Sequence, residues 1–193
     1  MRVRAKRADE PLRVLFVCTA NISRSPYAER RAAHFFTGAT EPNVRFASAG
    51  VPGFPGRGMD PQMAAQLSRR GIEPNGHVSR SVSVGILADA DVVVTVELAH
   101  RLRIAEIWPE HAAKVFGLHQ LADAFERMPP SAGGLEALDA ALTVTRPDSM
   151  AWDVVDPYKR GAAAAKACSD EIDGALAVIV PGLAGTSVRS APR

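Results

Sequence analysis

Residues 12–26 read Leu12-Arg13-Val14-Leu15-Phe16-Val17-Cys18-Thr19-Ala20-Asn21-Ile22-Ser23-Arg24-Ser25-Pro26. The first six form an apolar run rich in β-formers, the pattern of a buried strand. From Tyr27 to Phe36 the sequence reads as a helix, with Ser25 as N-cap and Pro26 at the first helical position. Between strand and helix lies a loop that begins on a cysteine and closes on an arginine. A loop of this length can turn its backbone N–H groups inward, and the helix adds its positive end and unpaired amides. The result is a concave nest sized for a tetrahedral dianion, lined by Thr19, Ala20, Asn21, Ile22, Ser23 and Ser25. Arg24 supplies a planar fork of donors that matches two phosphate oxygens, which a lysine would not reproduce. A sulfur at the bottom of the nest feels the same field, which favours the thiolate, the form that attacks phosphorus. Ser25 can donate a hydrogen bond to that sulfur. Asn21 tolerates left-handed backbone better than most residues and is expected at the tightest point of the loop. The bland alternative is a buried strand-end cysteine, and the strand before it and the proline after it argue against that.

Outward from this stretch, Val44 to Ala47 reads as a second strand and Pro61 to Arg70 as a helix closed by Gly71. Ala90 to Val96 is the clearest buried strand, Leu98 to Trp108 contains a helix, and Ala113 to Phe116 is a fourth strand. Leu121 to Val144 holds one or two helices around Pro129-Pro130 and Gly133-Gly134. A long last helix is expected from Tyr158 to Val180. Strands alternating with helices predict an α/β fold, three layers with a central four-stranded parallel sheet. Residues 1–10 and 183–193 are expected as flexible tails around one domain over 11–182.

The chain of 193 residues carries 23 basic and 21 acidic side chains, a net charge of +2, too even a balance to call for nucleic acid. The basic start has no apolar run behind it, and Ala175 to Val180 is too short to span a bilayer, so a cytoplasmic protein without a membrane partner is expected. Two cysteines 150 positions apart give no zinc spacing, and no metal or organic cofactor is implied.

Displacing an oxygen leaving group requires a proton donor. Asp156-Pro157-Tyr158 is the candidate, because Pro157 fixes the backbone beside the acid; Asp153 is the rival three residues earlier. Such an Asp-Pro before a helix is more often a turn or cap.

At these residues the sequence resembles the low-molecular-weight protein tyrosine phosphatases. The family loop reads Cys-x-Gly-Asn-x-Cys-Arg-Ser-Pro, against Cys18 to Pro26 here. Ala47-Ser48-Ala49-Gly50, Met59-Asp60 with Gly71-Ile72, His77-Val78-Ser79-Arg80 and Asp156-Pro157-Tyr158 follow in the family's order. The resemblance implies the phosphatase I-like (Rossmann-like) fold and hydrolysis of phosphotyrosine in proteins or of small aryl phosphates, a tyrosine kinase among the substrates. It casts Cys18 as nucleophile, Arg24 as phosphate clamp and Asp156 as general acid and then base. Asn21, Ser25, Ser48 and His77 would shape the loop, and Phe54 and Tyr158 would flank the phenyl ring.

Two departures stand out. Ala20 replaces the family glycine, which would strain the loop if that position needs a positive φ. Ser23 replaces the second loop cysteine, removing the disulfide that relatives can form with the nucleophile. The segment from Gln120 to Val155 is also longer than usual. Rival assignments are an arsenate reductase using an external thiol and a non-catalytic phosphoprotein-binding module on the same fold.

Overall fold

The computed structural model describes residues 10–38, 43–128 and 133–185. Strands β1 (Leu12–Cys18), β2 (Val44–Gly50), β3 (Val92–Thr95) and β4 (Val115–Gly117) form one parallel sheet in the order β2-β1-β3-β4. Helices α1 (Arg24–His34), α2 (Pro61–Arg69), α3 (Val84–Asp89), α4 (Leu98–Ile107), α5 (Leu118–Arg127), α6 (Gly134–Val144) and α7 (Gly161–Ala184) cover its two faces. The alternation along β1 divides the core. Val14, Phe16 and Cys18 pack with Tyr27, Leu67, Leu121, Leu138 and Leu176, from α1, α2, α5, α6 and α7. Leu15 and Val17 pack on the other side with Leu87 and Ile104, from α3 and α4. This is the three-layer α/β/α arrangement expected. Among the described residues no helix is long and apolar enough to cross a membrane.

The sheet order positions the site. From β1 the chain moves to one side to form β2, then crosses to the other side for β3. The carboxyl ends of β1 and β3 therefore border the crevice where the strand order reverses, the place where open α/β sheets bind ligands. Cys18 ends β1, and Glu97 follows β3 by two residues.

Several boundaries differ from the sequence expectations, each for a physical reason. Helix α1 starts at Arg24, earlier than the expected cap at Ser25; Ser23 holds the N-cap position and its side chain makes no capping bond. The Ser25 hydroxyl is instead engaged by the Cys18 sulfur. Strand β2 extends to Gly50, three residues past Ala47. The six-residue α3 is too short to show a helical period in sequence. The last helix begins at Gly161 and passes through Pro181 to Ala184, because Leu183 and Ala184 are buried in the core. A proline so near the end forfeits little, and tertiary burial outweighs propensity. The expected C-terminal tail thus loses residues 183 and 184 to α7, while 186–193, most of the N-terminal tail and Pro129-Pro130 lie outside the described residues. The long segment after Gln120 resolves into the rest of α5, helix α6 and a 3-10 turn at Met150–Trp152.

One carboxylate ties three helices together on the larger face. Asp173 of α7 accepts hydrogen bonds from Tyr27 Oη (2.8 Å) and Arg31 Nε (3.1 Å) of α1, and from Arg70 Nε (2.6 Å) at the end of α2. Burial, reinforced by Asp173, pushes the Tyr27 phenol far above its ordinary range. Asp173→Ala would leave the Tyr27 hydroxyl and the Nε groups of Arg31 and Arg70 without this acceptor, although Arg70 would keep Asp170. Denaturant unfolding should show a loss of about 2–4 kcal/mol; a loss below about 0.5 kcal/mol would contradict this role.

Candidate active site

The loop from Cys18 to Arg24 is shaped by where its carbonyls go. Cys18 O accepts from Val51 N (2.8 Å), Thr19 O from Gly53 N (2.9 Å) and Ile22 O from Asp60 N (2.7 Å). Asn21 O accepts from His77 Nε2 at 2.7 Å, which fixes the proton of that ring on Nε2. All four carbonyls are thus held by segments outside the loop. In a planar trans peptide the following N–H points the opposite way, so the amides of Thr19, Ala20, Ile22 and Ser23 face the concave side. Helix α1 adds an N-terminus with no side-chain cap and no acidic residue in its first turn. A capping side chain would occupy the donors that an anion needs.

Asn21 makes the turn, with φ of 58°. Its side chain then holds everything nearby. Nδ2 donates to Ser25 Oγ (3.0 Å) and Ser48 Oγ (2.8 Å), and Oδ1 accepts from Arg80 N (3.0 Å). Ser48 Oγ in turn donates a hydrogen bond to Glu29 Oε2 at 2.5 Å. Ser25 Oγ lies 3.0 Å from Cys18 Sγ, and Asn21 N donates to the same sulfur at 3.3 Å. Because Asn21 donates to Ser25, the Ser25 hydroxyl hydrogen has two acceptors within reach, Ala49 O at 3.3 Å and the closer Cys18 sulfur. The structure brings Asn21, Ser25, Ser48 and His77 together in one network, and Glu29, which the sequence analysis did not single out, joins it through Ser48. Ala20 has no positive φ, so the strain expected there does not arise. The unforeseen close approach is at Gly50, where an added Cβ would meet Thr19 O at 2.7 Å and Ala20 C at 2.9 Å.

Arg24 is the largest fully buried side chain among the described residues, 2% exposed. Its Nη1 donates to Val154 O (2.7 Å) and is ion-paired with Glu97, and its Nη2 lies 3.5 Å from Asp156 Oδ2. Burial works against the charge, but the hydrogen bond to Glu97 and the fields of Asp156 and Glu97 prevail, so Arg24 stays protonated with its pKa above the ordinary value. Arg24 Nε and Ser23 Oγ are buried without a partner, and both residues line the cavity over Cys18. They are unspent polar groups at the position an oxyanion would take.

That cavity has a volume of about 280 Å³ and brings Cys18, Arg24, Asp156, Ile22, Phe54 and Tyr158 to one place. Phe54 and Tyr158 are partly exposed walls at 56% and 38%. Asp156 Oδ1 accepts from Tyr158 N at 3.3 Å, which aims the carboxyl group into the mouth. Asp153 is excluded from that position because its Oδ1 accepts from Leu98 N (2.7 Å) at the start of α4.

His100 was not foreseen. It is buried on α4, its Nε2 is 2.9 Å from Thr19 Oγ1, and burial with the adjacent Arg24 pushes its pKa down to about 4 against the pull of Glu97. It is therefore neutral near pH 7 and braces the loop by hydrogen bonding. Cys168, in α7, is also buried, and its pKa is pushed up to about 12, so it stays an unreactive thiol. Among the described residues no group of three or more His, Cys, Asp or Glu is arranged to hold a metal ion.

The sequence model of the family described as low molecular weight phosphotyrosine protein phosphatase matches residues 13–129, more than half of the chain. The low molecular weight protein-tyrosine-phosphatase Wzb of Salmonella typhi is 29% identical over 140 residues, covering 72% of this chain and 91% of Wzb. Among solved structures, the low molecular weight protein tyrosine phosphatase from T. tengcongensis superposes with a TM-score of 0.69 at 25% identity, covering 89% of this chain and 99% of its own. The YwlE arginine phosphatase from Geobacillus stearothermophilus does so with a TM-score of 0.71 at 25% identity, covering 90% and 93%. Asp156 lies beyond the family-model match. A cysteine in an amide nest, a buried arginine above it and a family match that contains both lead to one conclusion: the chain belongs to the low molecular weight phosphotyrosine protein phosphatase family.

Proposed function

We propose that this chain is a protein-tyrosine phosphatase that hydrolyses phosphotyrosine monoesters through a phosphocysteine intermediate. The observation that carries it is the single cavity holding Cys18 at its floor, the unspent Nε of Arg24 at its side and Asp156 at its mouth. The inward amides and Arg24 hold the phosphoryl group with its phosphorus over Sγ. Sulfur forms the S–P bond as the P–O bond to the aryl group breaks, and Asp156 gives its proton to the departing phenolate. The ring leaves between Phe54 and Tyr158. Water then attacks phosphorus, Asp156 takes its proton, and the S–P bond breaks to release phosphate. The Ser25 hydroxyl, 3.0 Å from Sγ, stabilises the returning thiolate.

Ile22, Phe54 and Tyr158 favour an aryl ester over a phosphorylated guanidinium, the substrate class that the name of YwlE carries. A phenyl ring needs apolar walls, whereas a guanidinium needs acceptors for several N–H groups. The cavity offers it Asp156 and sets the cation of Arg57 against Phe54 at 4.8 Å. A phosphotyrosine-bearing protein, a tyrosine kinase among the candidates, fits this slot.

Turnover of p-nitrophenyl phosphate without added metal, alongside a phosphotyrosine peptide and phosphoarginine, tests the proposal. Wild type should hydrolyse both aryl substrates and prefer phosphotyrosine to phosphoarginine. Cys18→Ser should abolish turnover, and Asp156→Ala should lower kcat by about 10²–10⁴-fold. Preferential cleavage of phosphoarginine, or arsenate reduction with a thiol donor in place of ester hydrolysis, would overturn it.

A further inference from the structure

A second cavity, of about 220 Å³, lies away from the Cys18 loop, between α3 and the first halves of β1 and β2. Its floor is apolar, made by Leu15, Ala47, Ile86 and Ala90, and three arginines reach it against one carboxylate, Asp89. The strand register explains the concentration of charge. Arg13 pairs directly with Arg45 as Leu15 pairs with Ala47, so the two arginines stand side by side on the face that carries the floor. Directly opposed like charges on neighbouring strands are destabilising. Little on the described protein surface relieves them. Arg13 reaches Asp89 only at 3.9 Å, and that carboxylate is 76% exposed. Arg45 has no hydrogen-bond or ion-pair partner among the described residues. Arg80 spends Nε on Ser48 O (2.9 Å), and its terminal nitrogens have no partner among the described residues. An apolar slot rimmed by unspent guanidinium groups is complementary to a flat apolar body carrying one anionic head.

Arg80 also belongs to the network described above. Its backbone N donates to Asn21 Oδ1 (3.0 Å), and Ser48, which its side chain holds, accepts from Asn21 Nδ2 (2.8 Å). An anion that draws the Arg80 guanidinium toward the cavity competes with Ser48 O for it. The cost or gain is felt where Asn21 fixes the loop.

We propose that this cavity is a second ligand site, taking a small aromatic carboxylate or phosphate, and that its occupancy alters turnover at the Cys18 loop through Arg80. The coupling rests on the phosphatase reading of that loop; the binding does not. The probe is 1-naphthalenesulfonate, titrated calorimetrically into the full chain with and without saturating vanadate. Binding should persist in vanadate and weaken at least about tenfold in both Arg13→Glu and Arg45→Glu, each of which removes a charge-assisted hydrogen bond. Neither residue touches the Cys18 cavity, so p-nitrophenyl phosphate turnover of the free variants should match wild type and report that they fold. The probe should also change kcat in wild type and leave it unchanged in Arg45→Glu. Absence of binding, or equal affinity in wild type and both variants, would overturn the site. Binding that leaves kcat unchanged, or that inhibits by pure competition, would overturn the coupling. A wild type without turnover that still binds the probe at Arg45 would count against the phosphatase and for the site.

Discussion

The left-handed backbone at Asn21 is the constraint on which the site depends. A φ of 58° turns the chain tightly enough to send successive amides to one side, and such a turn is costly for a residue with a Cβ. Asn21 is held there by its own polar atoms. Its carbonyl goes to His77, its amide nitrogen to Ser25 and Ser48, and its amide oxygen to Arg80. Each bond is worth about 1 kcal/mol net, and together they offset a strain of about 1–3 kcal/mol. The strain therefore sits in the loop and its compensation in β2 and in the 77–80 segment. Gly50 completes the arrangement by letting β2 pass against the loop backbone.

The second constraint is electrostatic. A fully buried guanidinium needs opposite charge beside it, and Arg24 spends Nη1 on Glu97 and Val154 O and faces Asp156 with Nη2, while Nε stays unspent on the cavity side. The carboxylates hold the fork in place before any phosphate arrives. Of the two carboxylates, Asp156 is half-exposed at the mouth of the cavity, whereas Glu97 is the more buried. Thr19 and the neutral His100 brace the opposite wall without adding a charge that would compete with the anion.

The layers and the loop were legible in the sequence because their causes are local. The apolar run before Cys18, its counterpart before Glu97, and the spacing from Cys18 to Arg24 each declare a strand end or a nest. The cap on α1 was misread because a serine before a helix ordinarily caps it, whereas an anion site leaves the first turn bare. Glu29, His100 and Gly50 were missed because their partners are distant in the chain; Thr19 and His100 are 81 positions apart. Glu97 carried one usable sign, a carboxylate just past a buried strand at the carboxyl edge of a parallel sheet. The extent of α7 was set by burial of Leu183, which no local rule reports once Pro181 intervenes.

The central claim is that the phosphoryl group passes through sulfur. The most direct measurement is acid-quench mass spectrometry of Asp156→Ala during turnover of p-nitrophenyl phosphate. That variant lacks the base that activates water, while its leaving group departs without an acid. The account predicts one phosphoryl group on the peptide that contains Cys18. Release of p-nitrophenol with the cysteine unmodified, or with phosphate on another residue, would contradict it.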